Sequence, residues 1–236
     1  MFNEIQFIYF DLDDTLMDFS SASNKAFVSL MEHYDLPNDE QCFEIYQRGN
    51  HQTWQEFEQN LISSHKLRSL RFERFLSAMN WLDKADAFEM NAQYISFLIN
   101  ESNLISGALS LLNFYKDKIP MGILTNGLKE AQRPRLSKAE ITHYFDHIIV
   151  SDEIGMSKPN QEIFTLAKQI SGNIPTENIL LVGDNPYSDI EGAQIFGFKT
   201  IWFNSKQKEL PKQIQPTMTV TKLEDIIPSF LLHPNI

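Results

Sequence analysis

Cysteine is all but missing from this chain. Cys42 is the only one among 236 residues, so neither an intrachain disulfide framework nor a cysteine metal cluster can be built. Basic residues are also scarce: 20 Lys and Arg stand against 31 Asp and Glu, a formal net charge of −11. That balance disfavours a nucleic-acid polymer or an anionic membrane as partner, because no basic stripe offsets phosphate repulsion. It leaves room for a small phosphorylated metabolite held in a local cationic pocket with a metal. No apolar run approaches the length of a membrane span, and no basic-then-apolar leader opens the chain. A strand-like segment begins almost at once, and the expected location is the cytoplasm. The composition is otherwise that of a globular protein, 42% hydrophobic and 22% charged, with 18 Phe to build an aromatic-rich core.

Chain breakers are few in one long stretch. Between Ser20 and Asn103 there is one glycine, Gly49, and one proline, Pro37. Apolar residues recur there at helical spacing: Phe27, Leu30, Met31 and Tyr34, then Phe72, Phe75, Leu76 and Met79, then Tyr94, Phe97 and Leu98. Breaks are expected at Asp35-Leu36-Pro37-Asn38 and near Asp83.

On either side the pattern is that of strands. Phe7 to Leu16 reads F-I-Y-F-D-L-D-D-T-L, an apolar run ending in carboxylates. Further apolar strands are expected at Met121–Leu124, His147–Val150, Ile179–Val182 and Thr200–Phe203, separated by helices near 128–140, 160–171 and 188–196. Each strand ends in polar residues. The pattern predicts an α/β fold, a Rossmann-like doubly wound parallel sheet with a site along one edge. The first two strands are separated by roughly a hundred mostly helical residues, too long for a loop, so an inserted all-helical cap is expected. The expected division is 1–16 and 104–236 for the α/β core and 17–103 for the cap.

The acid cluster after the first strand carries the functional argument. Burying unpaired carboxylates is costly, so a strand end has no structural use for Asp11 and Asp13 together. A divalent cation and a reaction would justify them. Three other strand ends add polar groups: Thr125-Asn126, Lys158-Pro159, and Gly183-Asp184 with Asp189 beyond. In this order and on these elements, they resemble the four motifs of the haloacid dehalogenase-like superfamily, whose members include aspartate-nucleophile phosphatases. The chemistry is coherent in itself. Phosphate monoesters hydrolyse extremely slowly unaided. A carboxylate that attacks phosphorus splits one hard step into two. Mg²⁺, which keeps several waters and prefers one or two carboxylates plus phosphate, would sit between the two anions.

The resemblance implies roles. Asp11 would be the nucleophile, and Asp13 the acid for the leaving oxygen and then the base for water. The Asp11 and Asp184 carboxylates, with the Asp13 main-chain carbonyl, would hold Mg²⁺. Lys158 would hold the nucleophile and phosphoryl oxygens, and Thr125 and Asn126 would bind the latter. Asp189 would act through water or by fixing its neighbours. Plainer readings stand beside these: Asp11, Asp13 and Asp14 as turn or capping residues, Lys158 as a surface lysine before a helix, Thr125-Asn126-Gly127 as a simple turn, and Asp189 as a helix cap. The six histidines read as surface or structural, Cys42 as inert, and Trp54 and Phe57 as core or as a stacking surface.

Asp13 argues for phosphoryl transfer over carbon–halogen cleavage, since dehalogenases of this superfamily lack the second aspartate. Thr125-Asn126-Gly127 followed by Gln132 and Arg135-Leu136 resembles the pyrimidine 5′-nucleotidase branch. Phe145-Asp146, Ser151, Gly155 and Ile163-Phe164 fit it too, while Ser137 to Ile141 departs from its usual glycine-containing turn. The resemblance therefore implies a 5′-nucleotidase acting on nucleoside monophosphates, as a monomer or weak homo-oligomer. Alternatives are a sugar-phosphate or other small-metabolite phosphatase, a phosphomutase, and a non-catalytic phosphate-binding regulatory protein on the same fold.

Overall fold

The computed structural model describes residues 4–227, so His233 lies outside the described residues. Six strands form one parallel sheet: β1 (Phe7–Phe10), β2 (Met121–Thr125), β3 (His147–Val150), β4 (Ile179–Gly183), β5 (Lys199–Phe203) and β6 (Met218–Val220). Their order is β3-β2-β1-β4-β5-β6. All residues of β1, β2 and β4 are buried, which is why these strands read as continuous apolar runs rather than alternating ones. In register, Ile8 faces Met121 on one side and Leu180 on the other. The chain builds outward from β1 through β2 and β3, then crosses to lay β4 against its free side. That reversal opens a crevice at the carboxyl ends of β1 and β4, where doubly wound sheets bind ligands. β6 has no counterpart in the sequence reading. It is three residues long, and only its pairing with β5 makes it a strand.

The chain divides into two compact units. The α/β unit runs to Asp18, then over Asn103–Lys129, and resumes at Ala139. The helical unit comprises Phe19–Ser102 and Glu130–Lys138. Its first four helices are α1 (Phe19–His33), α2 (Glu40–Glu58), α3 (Ser64–Ala78) and α4 (Ala87–Asn100). The breaks follow capping chemistry: Asp39 accepts from the Cys42 N–H at 2.9 Å, and Asp86 from the Phe88 and Glu89 N–H groups at 2.9 Å each. The break between α2 and α3, which hydrophobic spacing does not reveal, is made by left-handed Asn60 and by Ser63, which caps α3. Buried rings form the core of this unit, with Phe27 to Tyr46 at 5.0 Å and Tyr46 to Phe72 at 5.3 Å. Phe57 belongs to the buried set, and Trp54 is half-buried, edge-on to it at 5.8 Å.

Five more helices follow: α5 (Ala108–Tyr115), α6 (Lys129–Lys138), α7 (Ser151–Ile154), α8 (Gln161–Ile170) and α9 (Gly192–Phe196). In α6, residues 130–138 group with the helical unit, a membership that no sequence pattern marks. The reasons are tertiary. Arg68 grips Glu130 through two nitrogens at 2.6 and 2.8 Å, and Lys138 donates to Asn100 at 2.8 Å. In the α/β unit, Tyr9 is buried and donates to the Ala167 carbonyl of α8 at 2.7 Å, tying β1 to its covering helix. Among the described residues, no helix is long and apolar enough to cross a membrane.

Candidate active site

β1 delivers Asp11 to the crevice. The Asp11 N–H donates to the Val182 carbonyl of β4 at 2.9 Å, so the backbone of this residue still belongs to the ladder. Its side chain is buried. The chain then leaves the sheet in a turn, with the Leu12 carbonyl accepting from Leu16 and Met17 at 3.0 and 2.9 Å. Asp13 sits half-exposed in this turn. Asp14 takes a left-handed backbone, φ 54°, which a short polar side chain tolerates, and its carboxylate pairs with Lys206 at 2.9 Å.

Lys158 is the centre of charge. Its ammonium is 1% exposed and donates to Asp11 Oδ1 at 2.7 Å and to Asp189 Oδ1 at 2.6 Å. Its position is fixed by Asn126: the side-chain amide donates to the Lys158 carbonyl at 2.8 Å and accepts from the Lys158 N–H at 2.9 Å. The Asn126 amide thus grips the main chain of the lysine. Thr125 is buried at the end of β2, paired in register with Val150. The adjoining Gly127 N–H donates to Ser151 Oγ at 3.2 Å, which ties this strand end to α7.

β4 contributes the remaining acids. Trp202 Nε1 donates to the Asp184 carbonyl at 2.8 Å, fixing the backbone where Asp184 leaves the strand. Asp189 lies in a π-helical stretch, Pro186–Glu191, and is buried. The cap of that stretch is Asn185, whose Oδ1 accepts from Tyr187 and Ser188 at 2.9 and 3.2 Å. Asp189 is therefore not the cap. Its Oδ2 accepts from the Asn185 N–H at 3.0 Å while Oδ1 holds Lys158. Gly183 makes this approach possible, since a Cβ there would lie 2.3 Å from Asp189 Oδ2. Gly183→Ala should push Asp189 off Lys158, costing about 1–3 kcal/mol of stability by overpacking. The variant should melt lower and turn over more slowly than wild type in parallel assays. Unchanged values in both would refute this role for the glycine.

Oxygens of Asp11, Asp184 and Asp189 all lie within 4.8 Å of one another. Three acids face one ammonium, and burial adds to the imbalance at Asp11 and Asp184. Burial, opposed by Lys158 and reinforced by Asp189, pushes Asp11 up to about 7. Burial together with Asp189, Asp11 and Asp14 pushes Asp184 up to about 8, against the pull of Lys208. Crowded, partly desolvated carboxylates of this kind fit a hard divalent cation, which would restore their charge. Asp13 is outside this three-carboxylate group. The clustered carboxylates are those of Asp11, Asp184 and Asp189, whereas the expected contribution of Asp13 is a carbonyl.

Two cations were missed by motif reading. Lys206 and Lys208, in the loop after β5, line a cleft with Asp14 and Asp184. The available signal was topological: this loop also leaves the carboxyl edge of the sheet.

The model of the family of haloacid dehalogenase-like hydrolases matches residues 8–203, a span that holds Asp11, Asp13, Thr125, Asn126, Lys158, Asp184 and Asp189. The chain belongs to this family. It is 33% identical over 219 residues to the pyrimidine 5′-nucleotidase YjjG of Escherichia coli (strain K12), covering 93% of this chain and 95% of that protein. It is 30% identical over 205 residues to a glyceraldehyde 3-phosphate phosphatase of Pyrococcus furiosus, covering 84% and 80%. Among solved structures, the HAD-hydrolase YfnB of Bacillus subtilis, bound to magnesium, superposes with a TM-score of 0.87 at 29% identity, over 98% of this chain and 99% of that one.

Proposed function

We propose that this haloacid dehalogenase-like hydrolase is a Mg²⁺-dependent phosphomonoesterase acting through an aspartyl-phosphate, with nucleoside 5′-monophosphates as its substrates. The observation that carries the reading is the contact of Lys158 with both Asp11 and Asp189 beside Asp184. A buried carboxylate held by a buried lysine at the switch point of a parallel sheet is a positioned nucleophile.

The reaction follows from these groups. The second Asp11 oxygen attacks phosphorus as the bond to the leaving oxygen breaks, and Asp13 donates the proton that the leaving oxygen takes up. Asp13, now ionised, accepts a proton from the water that attacks the same phosphorus, and Asp11 is released with orthophosphate. Lys158 holds Asp11 in one orientation and offsets phosphoryl charge, assisted by the Thr125 hydroxyl and the backbone at Asn126. Mg²⁺, held by the Asp11 and Asp184 carboxylates and the Asp13 carbonyl, would supply the remaining charge neutralisation. Asp189 acts on Lys158, which it touches, and so is a positioning residue. Residues 17–103 are the insert proposed to select the leaving group.

The nucleotidase reading is supported by the T-N-G…Q…R-L spacing and by the likeness to YjjG. The likeness to a glyceraldehyde 3-phosphate phosphatase supports a sugar-phosphate substrate as the second reading. Phosphate release should be measured with Mg²⁺ across nucleoside monophosphates and sugar phosphates, with and without chelator. Fastest release from pyrimidine monophosphates, lost on chelation, is the expected result. Release confined to sugar phosphates would replace the substrate class, and undiminished release after exhaustive chelation would remove the metal. No release from any ester would leave a phosphate-binding protein.

A further inference from the structure

The turn after β5 lies outside all four motifs, yet it is built with care. Asn204 is buried; its amide donates to the Lys208 carbonyl and its Oδ1 accepts from the Lys208 N–H, both at 2.9 Å. Its own N–H donates to the Val220 carbonyl of β6 at 2.8 Å, and its carbonyl accepts from Gln207 at 3.1 Å. This clamp fixes the backbone from which Lys206 and Lys208 project. Together with Asp14, Asp184, Phe203 and Asn204, the two lysines line a cleft. Lys206 pairs with Asp14 at 2.9 Å, whereas Lys208 makes no ion pair among the described residues. An ammonium without a direct ion pair therefore shares a cleft with one of the carboxylates proposed to hold the metal.

We propose that Lys208, with the Lys206–Asp14 pair, sets the affinity of the metal centre. The inference rests on the Mg²⁺ reading given above. Affinity at oxygen-ligated cation sites is tuned by ligand charge count, and Mg²⁺ is ordinarily held by only one or two carboxylates. Here Asp11, Asp184 and Asp189 cluster, and Asp14 stands at the rim of the same cleft as Asp184. Lys206 cancels Asp14, and Lys208 sets a positive charge against the dication. The site is thereby kept a weak, exchangeable Mg²⁺ site rather than a tight cage for any divalent ion.

Calorimetric titration with Mg²⁺, repeated with Mn²⁺ by electron paramagnetic resonance, tests this without reference to turnover. Removing one like charge from this cleft should tighten binding about 3- to 10-fold in Lys208→Ala. Lys208→Glu should tighten it further, and Asp14→Asn, which removes a negative charge at the rim, should weaken it. The differences should shrink at high salt, since both lysines are exposed. Lys208→Gln provides the neutral form again should either variant perturb the circular dichroism spectrum. Kd values within twofold of wild type for the neutral and the acidic variants would overturn the inference alone. A wild-type chain that takes up neither ion would overturn it together with the metal reading.

Discussion

Asp11→Asn should release no measurable phosphate from any ester, a loss of about 10⁴-fold or more, while its fold stays intact. Asparagine has the shape of aspartate but lacks the charge and nucleophilicity needed to form a bond to phosphorus. Its neighbours lose little, because Lys158 keeps its 2.6 Å contact with Asp189. Stability should move in the opposite direction to activity. Burial raises Asp11 to about 7 from its ordinary 3.8, with the Asp189 and Asp13 charges adding to the rise. An acid raised on folding contributes stability that is present below its ordinary value and lost as pH climbs through about 7. At pH 8 without metal, wild type carries that ionised carboxylate in a crowded site, and the variant does not. Asp11→Asn should therefore melt at or above the wild-type temperature there. Added Mg²⁺ should reverse the order, since a ligand at about 100-fold its Kd contributes roughly 2.7 kcal/mol to the form that binds it. Thermal melts at pH 8, with and without Mg²⁺, alongside phosphate assays, check both halves. Near-normal turnover by a chain verified as Asn at this position would remove Asp11 as nucleophile.

Much of this site is readable in the sequence because each part is local. Asp11 follows a buried strand directly, Thr125-Asn126 follows another, and Gly183-Asp184 a third, so hydrophobic runs and polar ends were enough to place them. Lys158 was legible as a charge near a strand end. That it touches Asp11 and Asp189 was not, since that contact joins residues 147 and 31 positions away. The amide grip of Asn126 on the Lys158 backbone is likewise a tertiary fact: composition marks Asn as polar but does not say what it holds. Asp189 could be read as a cap or a helper, and only the capping bonds of Asn185 decide between these. Short elements escaped for the same reason. Nothing in M-T-V announces β6, and the Lys206–Lys208 turn matters only because β5 aims it at Asp184.

Asp13→Asn separates the two chemical steps. The turn that begins at Leu12 takes Asp13 out of the ladder that fixes Asp11 and leaves it half-exposed. The assigned work of Asp13 is proton transfer, which typically accelerates a reaction 10²- to 10⁴-fold. An alkyl phosphate, whose leaving oxygen must be protonated, should lose about that factor in the first step. A nitrophenyl phosphate needs no such help, because its leaving group departs as an anion. With that substrate Asp11 should still be phosphorylated, and the variant should then stall, lacking the base that activates water. Rapid mixing should show a burst of one nitrophenolate per active site, followed by a steady rate about 10²- to 10⁴-fold below wild type. Intact-protein mass spectrometry should find the phosphoryl group on the chain during the stall. A steady rate close to wild type on an alkyl ester would assign the proton transfers to another group. A slow steady rate with neither burst nor phosphoprotein would place the whole contribution of Asp13 before the phosphorus–oxygen bond forms.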